Sequence, residues 1–382
     1  MYNPYSELDD SKSAIMIDPP KKSSTNSDSS SVRLFDQLIS RSPGLAPVVA
    51  QVCQANAQLP ERLSNLRPLV AYEQSVLCKP AQHLSFYCSV AYRSLTDAFI
   101  LTQRQAAMRR IETSPNPVSQ SLLSKHSSGD RWISVGISHL TTSRQHISQP
   151  VVTAKAQGDG WSISGTVPWV TAAAECEALV IAACDWENHS HQYLFYLPMG
   201  SQLIKCQPRM ELMALTPSDT CEVRLDGFEL TSNELLHGPC ENVLSVSQSG
   251  GAGGLQTTAL ALGLSACVID RIEEKSRSIE SLAVFNQHFS KRWEQIFDQM
   301  ILASETQDKS VDTAKLRKEA NDLTLRVAQA FLAIEKGTGF LADSDASRWV
   351  REAMFFLVWS CPQAIANEHL CDLSHFDSNL IP

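Results

Sequence analysis

Residues 160–171 read Gly-Trp-Ser-Ile-Ser-Gly-Thr-Val-Pro-Trp-Val-Thr. Trp161-Ser-Ile-Ser alternates apolar and polar side chains, the period of a strand with one buried face. Gly158-Asp159-Gly160, just before it, is a hairpin signal. Outward from there, short apolar runs bounded by turn residues recur at 132–138, 151–156, 179–183, 193–197 and 221–225. The pattern predicts about six or seven strands with no helix between them, hence an antiparallel sheet or a small barrel.

On both sides the period becomes helical. From Arg33 to about Arg110, Leu34, Leu38, Ile39, Leu95, Phe99 and Leu101 fit helices packed on one side. Pro60, Pro68 and Pro80 punctuate them. Ser114 to Asp130 reads as a loop plus a short helix. After about Glu241, Leu255, Ala259, Leu262, Ala266, Ile269 and Ile272 mark one apolar helix face. Further helices are expected from about Ser281 to Ala303 and from about Lys315 to Glu335, stopping at Gly337-Thr338-Gly339. A last one is expected from near Ser344 through Trp359, ended by Pro362. Residues 1–32, polar and Ser-rich, read as a disordered tail. The expected organisation is α+β: tail 1–32, helical domain 33–131, β-domain 132–240, helical bundle 241–375 and tail 376–382.

A net charge of −9, with 19% charged residues, argues against a surface for nucleic acid. Arg109-Arg110 and Lys291-Arg292 read as solvated helix faces. No run of about 18 apolar residues predicts a membrane span, and no basic-then-apolar start predicts a secretory signal. Eleven cysteines without a C-x-x-C pair fit buried thiols in a reducing cytosol better than zinc or disulfides. The expectation is a cytoplasmic protein without a metal site.

The order helices, strands, helices resembles the acyl-CoA dehydrogenase family, and three stretches carry the resemblance. Residues 160–171 are similar to the family's G-[YW]-x-[IL]-[NS]-G-x-K-x-[WF]-I-T segment. The resemblance places Trp169 and Thr171 against a flavin ring, with the Thr hydroxyl at N5. Ile137-Ser-His-Leu-Thr141 resembles the run [YA]-x-x-T-E-P-x-x-G-S-D, which makes Leu140 and Thr141 flavin contacts. Thr142-Ser143 and His146-Ile147-Ser148 replace its Glu-Pro and Gly-Ser-Asp. Gly337-Thr-Gly-Phe340, followed eleven residues later by Arg351-Glu-Ala353, resembles G-G-x-G-[FY] and R-D-A and adds Gly339 to the cofactor set. The resemblance implies an acyl-CoA dehydrogenase-like fold with an N-terminal helical domain, a middle antiparallel β-domain and a C-terminal four-helix bundle. It also implies bound FAD and a homodimer or homotetramer.

The family's chemistry takes an α-proton from an acyl thioester with a carboxylate while flavin N5 takes the β-hydride. A carboxylate in a water-poor site is basic enough for that step. In most members the base lies nine residues after the Arg of R-D-A, which here is Ser360. The alternative family position falls near Gly253. Neither offers a carboxylate, so the base is unassigned. His139 is a nearby candidate, weighed against a purely hydrogen-bonded structural role. The family's pyrophosphate-binding Arg has its nearest equivalent in residues 277–283, where Lys275 or Arg277 supplies the charge. Gly250–Gly254 reads as a flexible loop or as a phosphate cradle at a helix start. Phe355, Phe356, Leu357 and Trp359 read as a buried helix or as the wall of a flavin or acyl pocket.

Three functions follow. One is an FAD-dependent dehydrogenase acting on acyl-CoA or a similar small molecule and passing electrons to an acceptor. Another is a flavin monooxygenase on the same fold, fed by a flavin reductase. The third is a binding protein that has lost the base.

Overall fold

The computed structural model describes residues 33–41, 44–51, 58–76, 79–140, 149–246, 255–306, 312–359 and 363–374. Its N-terminal helices are α1 (Leu34–Ser40), α2 (Leu45–Gln51), α3 (Leu59–Val76), α4 (Pro80–Arg93), α5 (Leu95–Glu112) and α6 (Ser119–His126). Pro80 opens α4, where a missing N–H is harmless. Pro68 does not punctuate the chain as expected, but lies inside α3 between buried Leu66, Leu69 and Val70. Burying those side chains, at about 1.5–3 kcal/mol each, outweighs the roughly 3 kcal/mol penalty of an interior proline. Arg110 also departs from expectation. It turns inward to donate to Ala106 O at 2.8 Å, and burial beside Arg109 lowers its guanidinium to about 10.

The strands are β1 (Ile133–Gly136), β2 (Val152–Gln157), β3 (Gly160–Val170), β4 (Ala178–Asp185), β5 (Gln192–Pro198), β6 (Ile204–Cys206), β7 (Cys221–Leu230) and β8 (Leu235–Cys240). They form one sheet in the order β6-β7-β3-β2-β4-β5-β8, with β1 beside β4. The hairpin at Gly158 is present: Gln157 pairs with Gly160, and Gly158 takes φ 58°. Two of the strands, β6 and β8, have no counterpart among the expected runs. β6 has three residues and β8 carries Pro239, so neither shows a readable alternation. The sheet is also mixed rather than wholly antiparallel, because β4 runs parallel to both β1 and β2. β4 is buried on both faces from Ala178 to Cys184, the signature of a central strand rather than a half-exposed one. Among the described residues, the helical segments between the strands are 3-10 turns at Ser138–Leu140, Ala173–Glu175 and Thr216–Ser218.

The remaining helices are α7 (Val243–Val246), α8 (Leu255–Ser276), α9 (Ala283–Thr306), α10 (Thr313–Gly339), α11 (Asp345–Met354) and α12 (Gln363–Ser374). α8 is the axis of the bundle. It is long and apolar enough to cross a membrane, with mean hydropathy 1.2, yet 83% of that window is buried inside the fold. Thr324 on α10 donates to Ala261 O at 2.9 Å, and Trp293 on α9 donates to Leu262 O at 2.8 Å. A Cβ at Gly263 would stand 2.3 Å from Cys88 O, so α4 and α8 meet backbone to backbone there. Asp270 then ties the bundle to the first helix. Its carboxylate accepts the N–H groups of Leu34 and Phe35 at 3.0 and 3.2 Å, and the Tyr92 hydroxyl at 2.9 Å. Those are amides that an α-helix start leaves without internal partners.

α10 loses helical geometry at Lys336 (φ 54°, ψ −137°), just after the predicted end at Glu335. α11 is shorter than expected, ending at Met354 before a 3-10 turn at Phe355–Leu357. Two side chains of α10 capture carbonyls that a continuing helix would use: Asn321 donates to Phe356 O at 3.1 Å and Arg317 to Trp359 O at 2.9 Å.

Candidate functional site

The site starts at Pro168. A proline has no N–H for a sheet ladder, and the β3–β7 register breaks between Val167 and Val170. Freed from the ladder, Trp169 stands 48% exposed although both neighbours are buried. Thr171, two residues on, is buried.

Behind Thr171 lies a second loop, residues 215–220. Ala172 N–H donates to Ser218 O at 3.0 Å. Ala172, Leu215 and Asp219 all take left-handed backbone angles, with φ of 57°, 62° and 49°. For residues with a Cβ that conformation is strained, and such strain concentrates at functional sites. The loops also share a chain of hydroxyls. Ser218 Oγ lies 2.9 Å from Thr220 Oγ1, which lies 3.3 Å from Thr171 Oγ1. If Ser218 donates to Thr220 and Thr220 to Thr171, the Thr171 hydroxyl keeps its own proton for an acceptor beyond.

The Ser138–Leu140 turn packs against β3. Leu140 is half-buried there. His139 is buried, and its Nε2 lies 3.0 Å from Ala182 O on β4. A carbonyl only accepts, so Nε2 carries the proton and the ring is anchored to the sheet. That geometry favours the structural role over the base. Thr141, Gly250–Gly254 and Ser360 lie outside the described residues, as do residues 1–32 and 376–382.

α5 links this strand end to the bundle, since it also packs against the Thr216–Ser218 turn. Phe99 on α5 meets Phe355 edge-on at 5.2 Å and Trp359 at 5.3 Å, while Phe355 and Trp359 stack at 5.1 Å and 14°. The run 355–359 is thus half helix-end and half aromatic wall, with Phe356 buried and Val358 75% exposed. Near Phe99, Arg62 pairs with Asp97 at 2.6 Å, both buried.

Gly339 is the last residue of α10. It lies some 22 residues along α10 from Arg317, roughly 30 Å at the rise of a helix. A Cβ there would stand 2.7 Å from Glu335 Cβ, so the position requires glycine. Ser344 Oγ donates to Gly339 O at 2.6 Å, and Arg351 donates to Ser347 Oγ and Ala342 O at 2.5 and 3.1 Å. The fixed gap between the two C-terminal motifs is therefore a local staple. Lys275 is committed to Glu335 at 2.6 Å, whereas Arg277 is more open, held to Glu273 at 3.8 Å.

The sequence reading missed Ser218, Thr220, Asn321 and Arg317. The turn-rich Thr216-Pro-Ser-Asp-Thr220 was a signal for the first pair. Polar residues at 317, 321 and 324, on helical spacing inside an apolar face, were a signal for the second.

No family profile matches the chain, and no curated protein does. Solved structures do. A chain of the electron-transferring flavoprotein structure from Acidaminococcus fermentans superposes with TM-score 0.73 at 16% identity, covering 89% of this chain and 96% of that one. Butyryl-CoA dehydrogenase from Megasphaera elsdenii gives 0.71 at 14%, covering 91% and 100%. Dibenzothiophene monooxygenase from Paenibacillus sp. A11-2 gives 0.67 at 12%, covering 90% and 98%. The chain has the acyl-CoA dehydrogenase fold over most of its length.

Proposed function

We propose that this chain, built on the acyl-CoA dehydrogenase fold, is a flavin-dependent oxidoreductase, with FAD the expected flavin. One observation carries the reading: an open indole at Trp169 two residues from a hydroxyl at Thr171, which is joined to Thr220 and Ser218 in a buried chain of hydroxyls. An exposed flat ring next to a polar donor suits a planar heteroaromatic with a ring nitrogen at its edge. Leu140, on the turn that packs against β3, adds an apolar contact, and Arg277 is an open cation for a pyrophosphate. Gly339 shapes the α10 end that would meet a neighbouring copy, and exposed Phe340 and Leu341 (81% and 59%) fit burial in a homodimer or homotetramer.

When bound, the flavin supplies a hydride acceptor at N5. Trp169 would orient its ring, and Thr171, with its proton free, would donate to the edge that gains charge. The Phe99–Phe355–Trp359 wall excludes water from the bundle side. The finer reading is a cytoplasmic dehydrogenase of an acyl thioester, handing its electrons to a protein acceptor.

A second reading has its own support. Ser360 and the Gly253 region carry no carboxylate, and His139 is anchored to Ala182 O. A monooxygenase on this fold, using reduced flavin and oxygen, needs no α-proton abstraction. The decisive experiment records the visible spectrum of the purified protein, titrates it with FAD, and adds a panel of acyl-CoAs without oxygen. Bleaching establishes the dehydrogenase. Binding of reduced flavin without bleaching favours the monooxygenase. A colourless protein that binds neither FAD nor reduced flavin refutes both and leaves a binding protein.

A further inference from the structure

β6 and β7 bring two thiols together. Gln207 N–H donates to Glu222 O at 2.8 Å, so the next pair along, Cys206 opposite Val223, is a non-hydrogen-bonded pair. Side chains of such pairs approach most closely. Cys221 lies two residues from Val223 on the same face, diagonal to Cys206. That register makes the two thiols close neighbours on one face of the sheet edge. Cys206 is half-buried and Cys221 buried. Cys206 also ends a three-residue strand at the edge of the sheet, where few ladder bonds resist a small shift. A third thiol, Cys176, is nearby and is turned to Ala172 O at 3.2 Å.

We propose that Cys206 and Cys221 are a peroxide-reactive dithiol, a reversible modification site set behind Thr171. The Cys206 thiolate attacks one oxygen of hydrogen peroxide. The O–O bond breaks, and the departing hydroxide takes a proton to become water, leaving Cys206 as a sulfenic acid. The Cys221 sulfur then attacks the Cys206 sulfur. The S–O bond breaks, a second water leaves, and a disulfide joins β6 to β7. Two thiols are oxidised by two electrons in total, and one peroxide is reduced to two waters.

The roles follow from the environment. The neighbouring Cys221 thiol holds Cys206 below the usual range, while its proximity to Cys206 together with burial pushes Cys221 up. Cys206 is therefore the attacking sulfur and Cys221 the resolving one. The link matters because Cys221 follows Thr220 and pairs with Val170 across the β3–β7 ladder. A bridge that draws Cys221 toward β6 acts directly on the Thr220–Thr171 contact. A flavin that leaks electrons to oxygen would generate the oxidant at this spot, yet the dithiol chemistry requires no flavin.

The test treats the full, freshly reduced chain with hydrogen peroxide, alkylates the remaining thiols, and maps peptides by mass spectrometry without reductant. The expected product is a peptide pair joined through Cys206 and Cys221, separated again by dithiothreitol. C176S forms the same link. C221S stops at a Cys206 sulfenic acid that dimedone traps. A link from Cys206 to Cys176, or full alkylation of both Cys206 and Cys221 after peroxide, overturns the proposal. The wild-type map decides even where a variant fails to fold.

Discussion

Thr220 Oγ1 lies 3.3 Å from Thr171 Oγ1 and 2.9 Å from Ser218 Oγ, so one hydroxyl serves two others. All three residues are buried. T220V keeps the shape but leaves both neighbours short of a partner. A buried hydroxyl without a hydrogen bond costs about 1–3 kcal/mol. The variant should unfold at lower urea than wild type by that amount, and its flavin affinity should fall as well. T220S should restore both. Wild-type stability in T220V would show that the relay does not exist.

Trp169 allows a cleaner separation of structure from function. Its ring is half out of the fold, so W169A should leave stability within about 0.5 kcal/mol of wild type. Stacking on a flavin contributes about 0.5–1.5 kcal/mol. Flavin titration of W169A should therefore show a loss of up to about tenfold in affinity. W169F should recover most of it. A W169A protein that binds flavin as tightly as wild type removes Trp169 from the site.

The architecture was legible where side-chain periodicity had room to repeat. α8, α9 and α10 carry long apolar faces, and β4 and β5 are continuous apolar runs. What failed was short or decided by tertiary contact. β6 is too brief to alternate. The end of α11 is set by Asn321 and Arg317, which reach it from 35 and 42 residues away. Pro68 is overruled by the leucines packed around it. Of the site, Trp169 and Thr171 could be named from one motif. Their support from Ser218 and Thr220 could not, because a hydroxyl relay between two loops leaves no mark on either loop alone. Ala172, an ordinary residue type, hid a left-handed turn.

Glu352, the middle residue of Arg351-Glu-Ala353, makes stability depend on pH. Burial raises its carboxyl to about 7, against the pull of Arg348 and Arg351. A carboxyl raised by folding favours its protonated form. Its contribution is therefore complete below the unfolded value, about 4.3, and is lost as pH rises through about 7. The whole difference corresponds to roughly 4 kcal/mol. Urea midpoints measured from about pH 5 to about pH 8 should fall for wild type and stay flatter for E352Q. Parallel curves for the two proteins would mean that Glu352 is not the titrating group.

Asn321 and Arg317 hold the chain that leads into Ser360. Asn321 lies on α10, is fully buried, and binds Phe356 O, while Arg317, one turn earlier, binds Trp359 O. The segment that carries those two carbonyls also carries Phe355 and Trp359, which stack on each other and meet Phe99 edge-on. An N321A exchange leaves Phe356 O without its donor in an apolar setting, at a cost of about 1–3 kcal/mol. The loss should be local, because the α8–α10 seam has its own bonds through Thr324. Hydrogen exchange should therefore speed up in residues 355–359 of N321A and of R317A, while α8 keeps its protection. If the wall also bounds the substrate slot, both variants should raise KM more than they lower kcat, since they loosen positioning without removing a reacting group. Unchanged exchange in 355–359 would mean that aromatic packing alone holds the segment, and that the two α10 side chains are incidental to it.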